Sequence, residues 1–166
     1  MKTVAFVPVK LNNQRTPGKN TKRFRDGEAL ITVFLKTLAK VQGIDEIYVF
    51  CSDPVIKEYL IPKVSYLQRP NFLDTQEATP QDIIHEFMKF VDADVYAVCH
   101  CTSPFVNASH IQECVEAVKS GEFDSSFTAQ RIQNLLWSND YKPVNFEPEH
   151  VPRTQDLEPL FCEVSA

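Results

Sequence analysis

The sequence predicts an α/β fold, three layers α/β/α around a mostly parallel sheet. Short unbroken apolar runs rich in β-branched and aromatic residues alternate with stretches whose apolar residues recur at helical spacing. Such alternation reads as successive βαβ units, which bury a parallel sheet under helices on both sides. The 166 residues are enough to bury a core without disulfides or metals, so residues 1–166 are expected to form a single domain.

The opening strand is Thr3-Val4-Ala5-Phe6-Val7-Pro8-Val9, read as buried on both faces and stopped by Pro8 and the polar residues that follow. Asp26-Gly27 then makes a turn, and Leu30, Ile31, Phe34, Leu35 and Leu38 form one apolar stripe of a helix from about Glu28 to Lys40. The second strand is Ile47-Tyr48-Val49-Phe50. It ends in Ser52-Asp53-Pro54, an N-cap followed by proline at the first helical position, which opens a short helix to about Leu60. Val64-Ser65-Tyr66-Leu67 reads as the third strand and delivers Gln68-Arg69-Pro70. Thr79-Pro80 begins a helix that buries Ile83, Ile84, Phe87 and Met88, and Val95-Tyr96-Ala97-Val98 is the fourth strand. Asn107 caps the next helix, whose inner face is Ile111, Cys114, Val115 and Val118, with Gly121 just past its end. Residues 123–129 read as a fifth strand, and beyond them the pattern weakens around Trp137, Pro143, Pro148 and Pro152.

The loop after the first strand carries the chemistry. Lys10-Leu11-Asn12-Asn13-Gln14-Arg15-Thr16-Pro17-Gly18-Lys19-Asn20 combines three cations, amides suited to tight turns, and a Pro-Gly pair that lets the backbone approach a ligand closely. A loop at the carboxyl end of a buried parallel strand faces the crevice where open α/β sheets bind ligands. Spaced cations and free backbone N–H groups there suit a polyphosphate. The alternative is an exposed basic turn that binds nothing.

Charge sharpens this reading. Residues 1–25 hold seven Lys and Arg and no Asp or Glu; the other residues hold 10 basic against 22 acidic, from totals of 17 and 22. An acidic chain with one basic loop lacks the broad basic face that a nucleic-acid partner needs, so a small anion is the expected ligand. No apolar run reaches the length that spans a bilayer, and the N-terminus lacks the apolar core of a signal peptide, so no membrane partner and a cytoplasmic location are expected.

The five cysteines, Cys51, Cys99, Cys101, Cys114 and Cys162, are odd in number and several lie in or beside apolar runs, as reduced core thiols do. Cys99-His100-Cys101 lacks C-x₂-C spacing, and strand alternation turns His100 away from its neighbours, so no zinc site is expected. His85-Glu86-Phe87-Met88-Lys89 fails the zincin pattern at its fifth position. Neither G-x-G-x-x-G nor the Walker motif occurs in the first loop.

Taken in order, Pro17-Gly18-Lys19-Asn20, Ser52-Asp53, Gln68-Arg69-Pro70, Thr102-Ser103-Pro104-Phe105 and Arg153-Thr154-Gln155-Asp156-Leu157 resemble the acylneuraminate (CMP-sialic acid) cytidylyltransferases and their relatives that activate other nonulosonic acids or KDO. The resemblance spans nearly all of the chain. It implies a Rossmann-like α/β layer of the nucleotide-diphospho-sugar transferase type. It implies a nucleotidyltransferase that couples CTP to an acidic sugar, giving a CMP-sugar and pyrophosphate, with Mg²⁺ on the phosphates and a place in cell-surface polysaccharide biosynthesis. Relatives often form homodimers.

Residue by residue, Lys19 matches the family's loop lysine and Lys10 stands where the family usually has arginine; both are expected to serve catalysis through the phosphates. Lys10, Asn12, Asn20, Arg69 and Thr79 are the expected nucleotide-binding residues. His100, where many relatives carry glutamine, is expected on the acceptor-sugar side with Thr102 and Ser103. Arg153 matches an arginine that reaches the substrate's carboxylate or phosphate. Arg69 also reads as a solvated strand-end cation, His100 as a hydrogen-bonded strand-end histidine, and Thr102-Ser103-Pro104 as helix-entry turn chemistry.

The sequence also departs from the family. Asn13 and Gln14 stand where a Ser-Lys pair often occurs. The sequence ends at Glu163-Val164-Ser165-Ala166, before the strand and Asp-x-Asp element that hold magnesium in relatives. The expectation is therefore a domain without its metal-binding and dimerisation part, and no metal ligands in this chain. Two further readings stay open: a sugar-1-phosphate nucleotidyltransferase of the same fold, and a non-catalytic nucleotide-binding module.

Overall fold

A computed structural model describes residues 1–164; Ser165 and Ala166 lie outside the described residues. The described chain divides into two compact units, Met1–Phe127 and Thr128–Val164.

The first unit is built on four parallel strands, β1 (Thr3–Val9), β2 (Glu46–Cys51), β3 (Val64–Gln68) and β4 (Val95–Val98), in the order β3-β2-β1-β4. Side chains of β1 alternate between two cores, as the period of a strand requires. Ala5, Val7 and Val9 face α1 (Leu30–Leu38) and Ile111 of α3 (Ala108–Lys119), while Val4 and Phe6 face Phe87 of α2 (Pro80–Met88). The Phe6 and Phe87 rings stack with centroids 4.0 Å apart, and Phe50 meets Phe87 edge-on. Helices thus cover both faces of the sheet, the α/β/α layering that the sequence predicts.

Local signals set the element ends. Thr79 and Asp82 close a capping box at the start of α2, with Pro80 in its first turn. The carboxylate of Asp53 accepts from Val55 N at 2.9 Å, but the segment it caps, Pro54–Tyr59, winds as a 3-10 helix rather than an α-helix. Asn107 occupies the N-cap position of α3 without a side-chain capping bond.

Three expectations need correction. Pro8 does not stop β1: the strand continues to Val9 on the β2 side, pairing Pro8 with Phe50 and Val9 with Cys51. What ends is the β1–β4 ladder. Its last bond runs from Cys99 N to Phe6 O, and the next donor on that side would have been the N–H that proline lacks. Met88 is 44% exposed rather than buried, because Phe87 and the isoleucines before it already fill the contact with the sheet.

The third correction concerns residues 123–129, expected to form a fifth strand. Phe123 and Phe127 are exposed, and Ser126 Oγ donates to Cys114 O at 2.7 Å, which ties the segment back to α3. Strand formers make a strand only where a sheet edge receives them.

In the second unit β5 (Ala129–Ile132) pairs antiparallel with β6 (Leu160–Glu163). Gln133 Nε2 donates to Leu157 O at 2.9 Å, and Trp137 packs edge-on against Phe146. Both strands are largely exposed. Among the described residues no helix is long and apolar enough to cross a membrane.

Candidate functional site

Because the four strands run parallel, their carboxyl ends share one edge, and four loops leave it, after Val9, Cys51, Gln68 and Val98. The chain steps outward from β1 through β2 to β3 and then returns to β4 on the other side of β1. That reversal makes the β1/β4 boundary the topological switch point, where open α/β sheets hold ligands. The missing Pro8 donor falls at the same boundary.

The loop after β1 is folded on itself. Gly18, with φ +66°, adopts the left-handed conformation that glycine accepts without strain, and the 3-10 turn Lys19–Thr21 follows. Asn20 is buried at 4% exposure, and its Nδ2 donates to Lys10 O at 3.0 Å and to Asn13 Oδ1 at 3.4 Å, so one amide joins both ends of the loop. Lys10 is half-buried, its Nζ donating to Thr75 O at 3.3 Å. Lys19 is half-buried and forms no ion pair among the described residues; its ammonium is close enough to act on the Cys101 thiol beyond β4. Asn12 and Arg15 are exposed. The loop is thus tied to both neighbours, through Lys10 to the β3 side and through Asn20, next to Lys19, to the β4 side.

Arg69 follows β3 and is 2% exposed. It forms an ion pair with Asp74, whose other oxygen accepts from Ser52 Oγ, and the Arg69 N–H donates to Cys51 O at 3.0 Å. A buried guanidinium needs such a partner, and this one braces the turn Asn71–Asp74 against the end of β2. The reading of Arg69 as a solvated cation is thereby set aside. Its Nε has no hydrogen-bond partner among the described residues. The Thr79 hydroxyl donates to Asp82 Oδ2 at 2.7 Å and accepts from Asp82 N, so it serves the start of α2. Gln76 Nε2 reaches Gln14 Oε1 at 2.8 Å, a second tie between the loop after β3 and the basic loop.

On the β4 side, Ser103 N donates to His100 O at 3.1 Å in the turn that carries His100, Thr102 and Ser103, and Thr102 is exposed. Burial pushes the Cys101 thiol up to about 11, with Lys19 pulling it down, and burial pushes Cys99 up to about 12. Both stay protonated at neutral pH. Arg153 belongs to the second unit, where its guanidinium holds Asp156 through Nε at 2.7 Å and a second nitrogen at 3.2 Å.

The structure brings Lys10, Lys19 and Asn20 together with the loops that follow β3 and β4. Sequence reading missed Asp74, Thr75, Gln76 and Cys101, which hold these loops to one another. Their partners lie from 5 to 81 residues away in the chain, and no local pattern announces them. Mg²⁺ finds no fitting set here. Among the described residues no three His, Cys, Asp or Glu side chains are grouped to hold a metal. Asp53 caps a turn, Asp74 holds Arg69 and Asp94 accepts from Lys2 N at 2.6 Å.

Comparison with known proteins places this arrangement. The relatives include the N-acylneuraminate cytidylyltransferase of Oncorhynchus mykiss, 31% identical over 91 residues, 49% of this chain and 21% of that protein. Another is the N-acylneuraminate cytidylyltransferase of Streptococcus agalactiae serotype V, 23% identical over 97% of this chain and 41% of that protein. The chain thus spans less than half the length of these relatives. Among solved structures, a CMP:2-keto-3-deoxy-manno-octonic acid synthetase complexed with CTP superposes with a TM-score of 0.69 at 17% identity, over 99% of this chain and 72% of that one. The 2-C-methyl-D-erythritol 4-phosphate cytidylyltransferase of Francisella tularensis gives 0.68 at 13% identity, over 99% and 70%. These likenesses bear out the expected nucleotide-diphospho-sugar transferase type of fold. The family model described as cytidylyltransferase matches residues 4–151, and the chain belongs to that family.

Proposed function

We propose that the site takes CTP and joins its cytidylyl group to an acidic sugar, of the sialic acid or related nonulosonic acid class, with release of pyrophosphate. One observation carries the reading: a basic loop, pinned at both ends by Asn20, emerges at the switch point with Lys10 bonded to the loop after β3 and Asn20, next to Lys19, bonded to Cys101 after β4. Two cations so placed suit a chain of phosphates, whose charge gathers on the leaving pyrophosphate and is stabilised by fixed donors. The relatives' names supply cytidine and the acidic sugar.

In this reading Lys19 and Lys10 serve the phosphates, Lys10 exchanging its bond to the Thr75 carbonyl for one to the ligand. Asn12 stands at the loop's exposed face. Arg69, buried and paired with Asp74, serves the nucleotide side by bracing the loop after β3, and Asn20 and Thr79 likewise act by holding their segments in place. His100, Thr102 and Ser103 form the sugar side; Arg153 lies in the second unit, paired with Asp156, and is given no place in this site. The chain acts as one nucleotidyltransferase-like domain and works in the cytoplasm for cell-surface polysaccharide synthesis without nucleic acid. The described residues do not fit a protein-held Mg²⁺, and no step is assigned to one.

Calorimetry with CTP tests the assignment. Lys19→Ala should weaken affinity by about tenfold or more with the melting midpoint unchanged, since a charge-assisted contact is lost without loss of core. Unchanged affinity would remove Lys19 from the phosphates.

A further inference from the structure

Asn20 bridges more than the two ends of its own loop. Its Nδ2 faces the carbonyl of Lys10, which only accepts, so the amide orientation is fixed and Oδ1 points the other way. There it meets Cys101 Sγ at 3.5 Å, a contact between two buried groups. An amide oxygen accepts, so the thiol donates. Burial keeps that thiol protonated at neutral pH, because its titration is pushed up to about 11. Cys101 lies just past the end of β4, beside His100 and two residues before Ser103. The contact therefore crosses the β1/β4 boundary, where the backbone ladder has already ended at Cys99.

We propose that Cys101 is a positioning residue, its thiol fastening the basic loop, through the Asn20 amide, to the turn that carries His100, Thr102 and Ser103. Where the sheet stops holding the two sides together, a side-chain clasp replaces it. The clasp sets the spacing between the phosphate side and the sugar side of the site. That consequence rests on the nucleotide reading above; the clasp itself rests on the contacts.

Cys101→Ala removes both the donor and its γ atom, whereas Cys101→Ser keeps a donor at nearly the same place, and Cys101→Val against Cys101→Thr repeats the contrast with the volume held constant. Two measurements read the outcome: tryptic cleavage after the exposed Arg15 without nucleotide, and CTP affinity by calorimetry. Cys101→Ala should speed cleavage about fivefold and weaken CTP by a similar factor, with Cys101→Ser within about twofold of the unaltered chain. In an Asn20→Ala background the Cys101→Ala effect should vanish, since the shared bond is already gone. Should Cys101→Ala not fold, Cys101→Val and Cys101→Thr give the same contrast at matched shape. Alanine and serine variants behaving alike in cleavage, or an alanine effect that persists in full without Asn20, would overturn the clasp. If the unaltered chain binds no CTP, the nucleotide reading fails alone, and cleavage still decides the clasp.

Discussion

At the amino-terminal edge of the parallel sheet, carboxylates from adjoining loops meet the backbone: Asp45 accepts from Thr3 N at 2.7 Å and Asp94 from Lys2 N at 2.6 Å. Lys2 and Glu46 pair on the surface at 3.1 Å. At the carboxyl-terminal edge the joining groups are buried instead, Arg69 with Asp74 and Asn20 with Cys101, and the lysines above them have no carboxylate within bonding distance among the described residues. One edge is closed by acids. The other keeps its positive charge, and its order comes from side chains beneath. The contrast separates an edge tied by carboxylates at the backbone from an edge tied by side chains beneath its loops.

The largest test of the contrast is Arg69→Met. Removing the buried guanidinium leaves Asp74, itself 21% exposed, without its cation, so unfolding in urea should show a loss of about 2–3 kcal/mol, partly restored by adding Asp74→Leu. A loss below about 1 kcal/mol would make this edge no different from the other.

Alkaline pH comes next. A thiol that titrates at about 11 when folded and near 9 when unfolded keeps its proton longer in the native state. The unfolded chain releases that proton first, so stability falls as pH rises from 9 to about 11, by about 2 kcal/mol for Cys101. Cys99 prolongs the fall toward 12. Denaturation midpoints across that range measure it, and Cys101→Ser should flatten the first part.

A smaller effect belongs to the amino edge. Asp45→Ala leaves the backbone N–H of buried Thr3 without its acceptor and should cost about 1 kcal/mol, with CTP affinity unchanged. A change in affinity would mean the edges are coupled. Smallest of all, Lys2→Ala breaks a surface pair and should leave the melting midpoint where it was.

Strands β1 to β4 and helices α1 to α3 were legible because each buries a face with its own period, alternate residues in β1 and one stripe in α1. The pair β5 and β6 was not. Each has four largely exposed residues, and without a buried face there is no alternation to read. The basic loop announced itself through charge and its Pro-Gly pair. Its internal organisation did not, because Asn20 and Arg69 look like surface residues until the fold brings Cys101, 81 positions from Asn20, within reach. Their burial is a property of distant partners rather than of neighbouring letters.

Pro8 has one more implication. Its ring, a permanent part of the chain, denies β4 a further rung at the height where the loops begin. On that flank β1 gives up its partner three residues sooner than on the other, at Phe6 against Val9, and side chains alone span the difference.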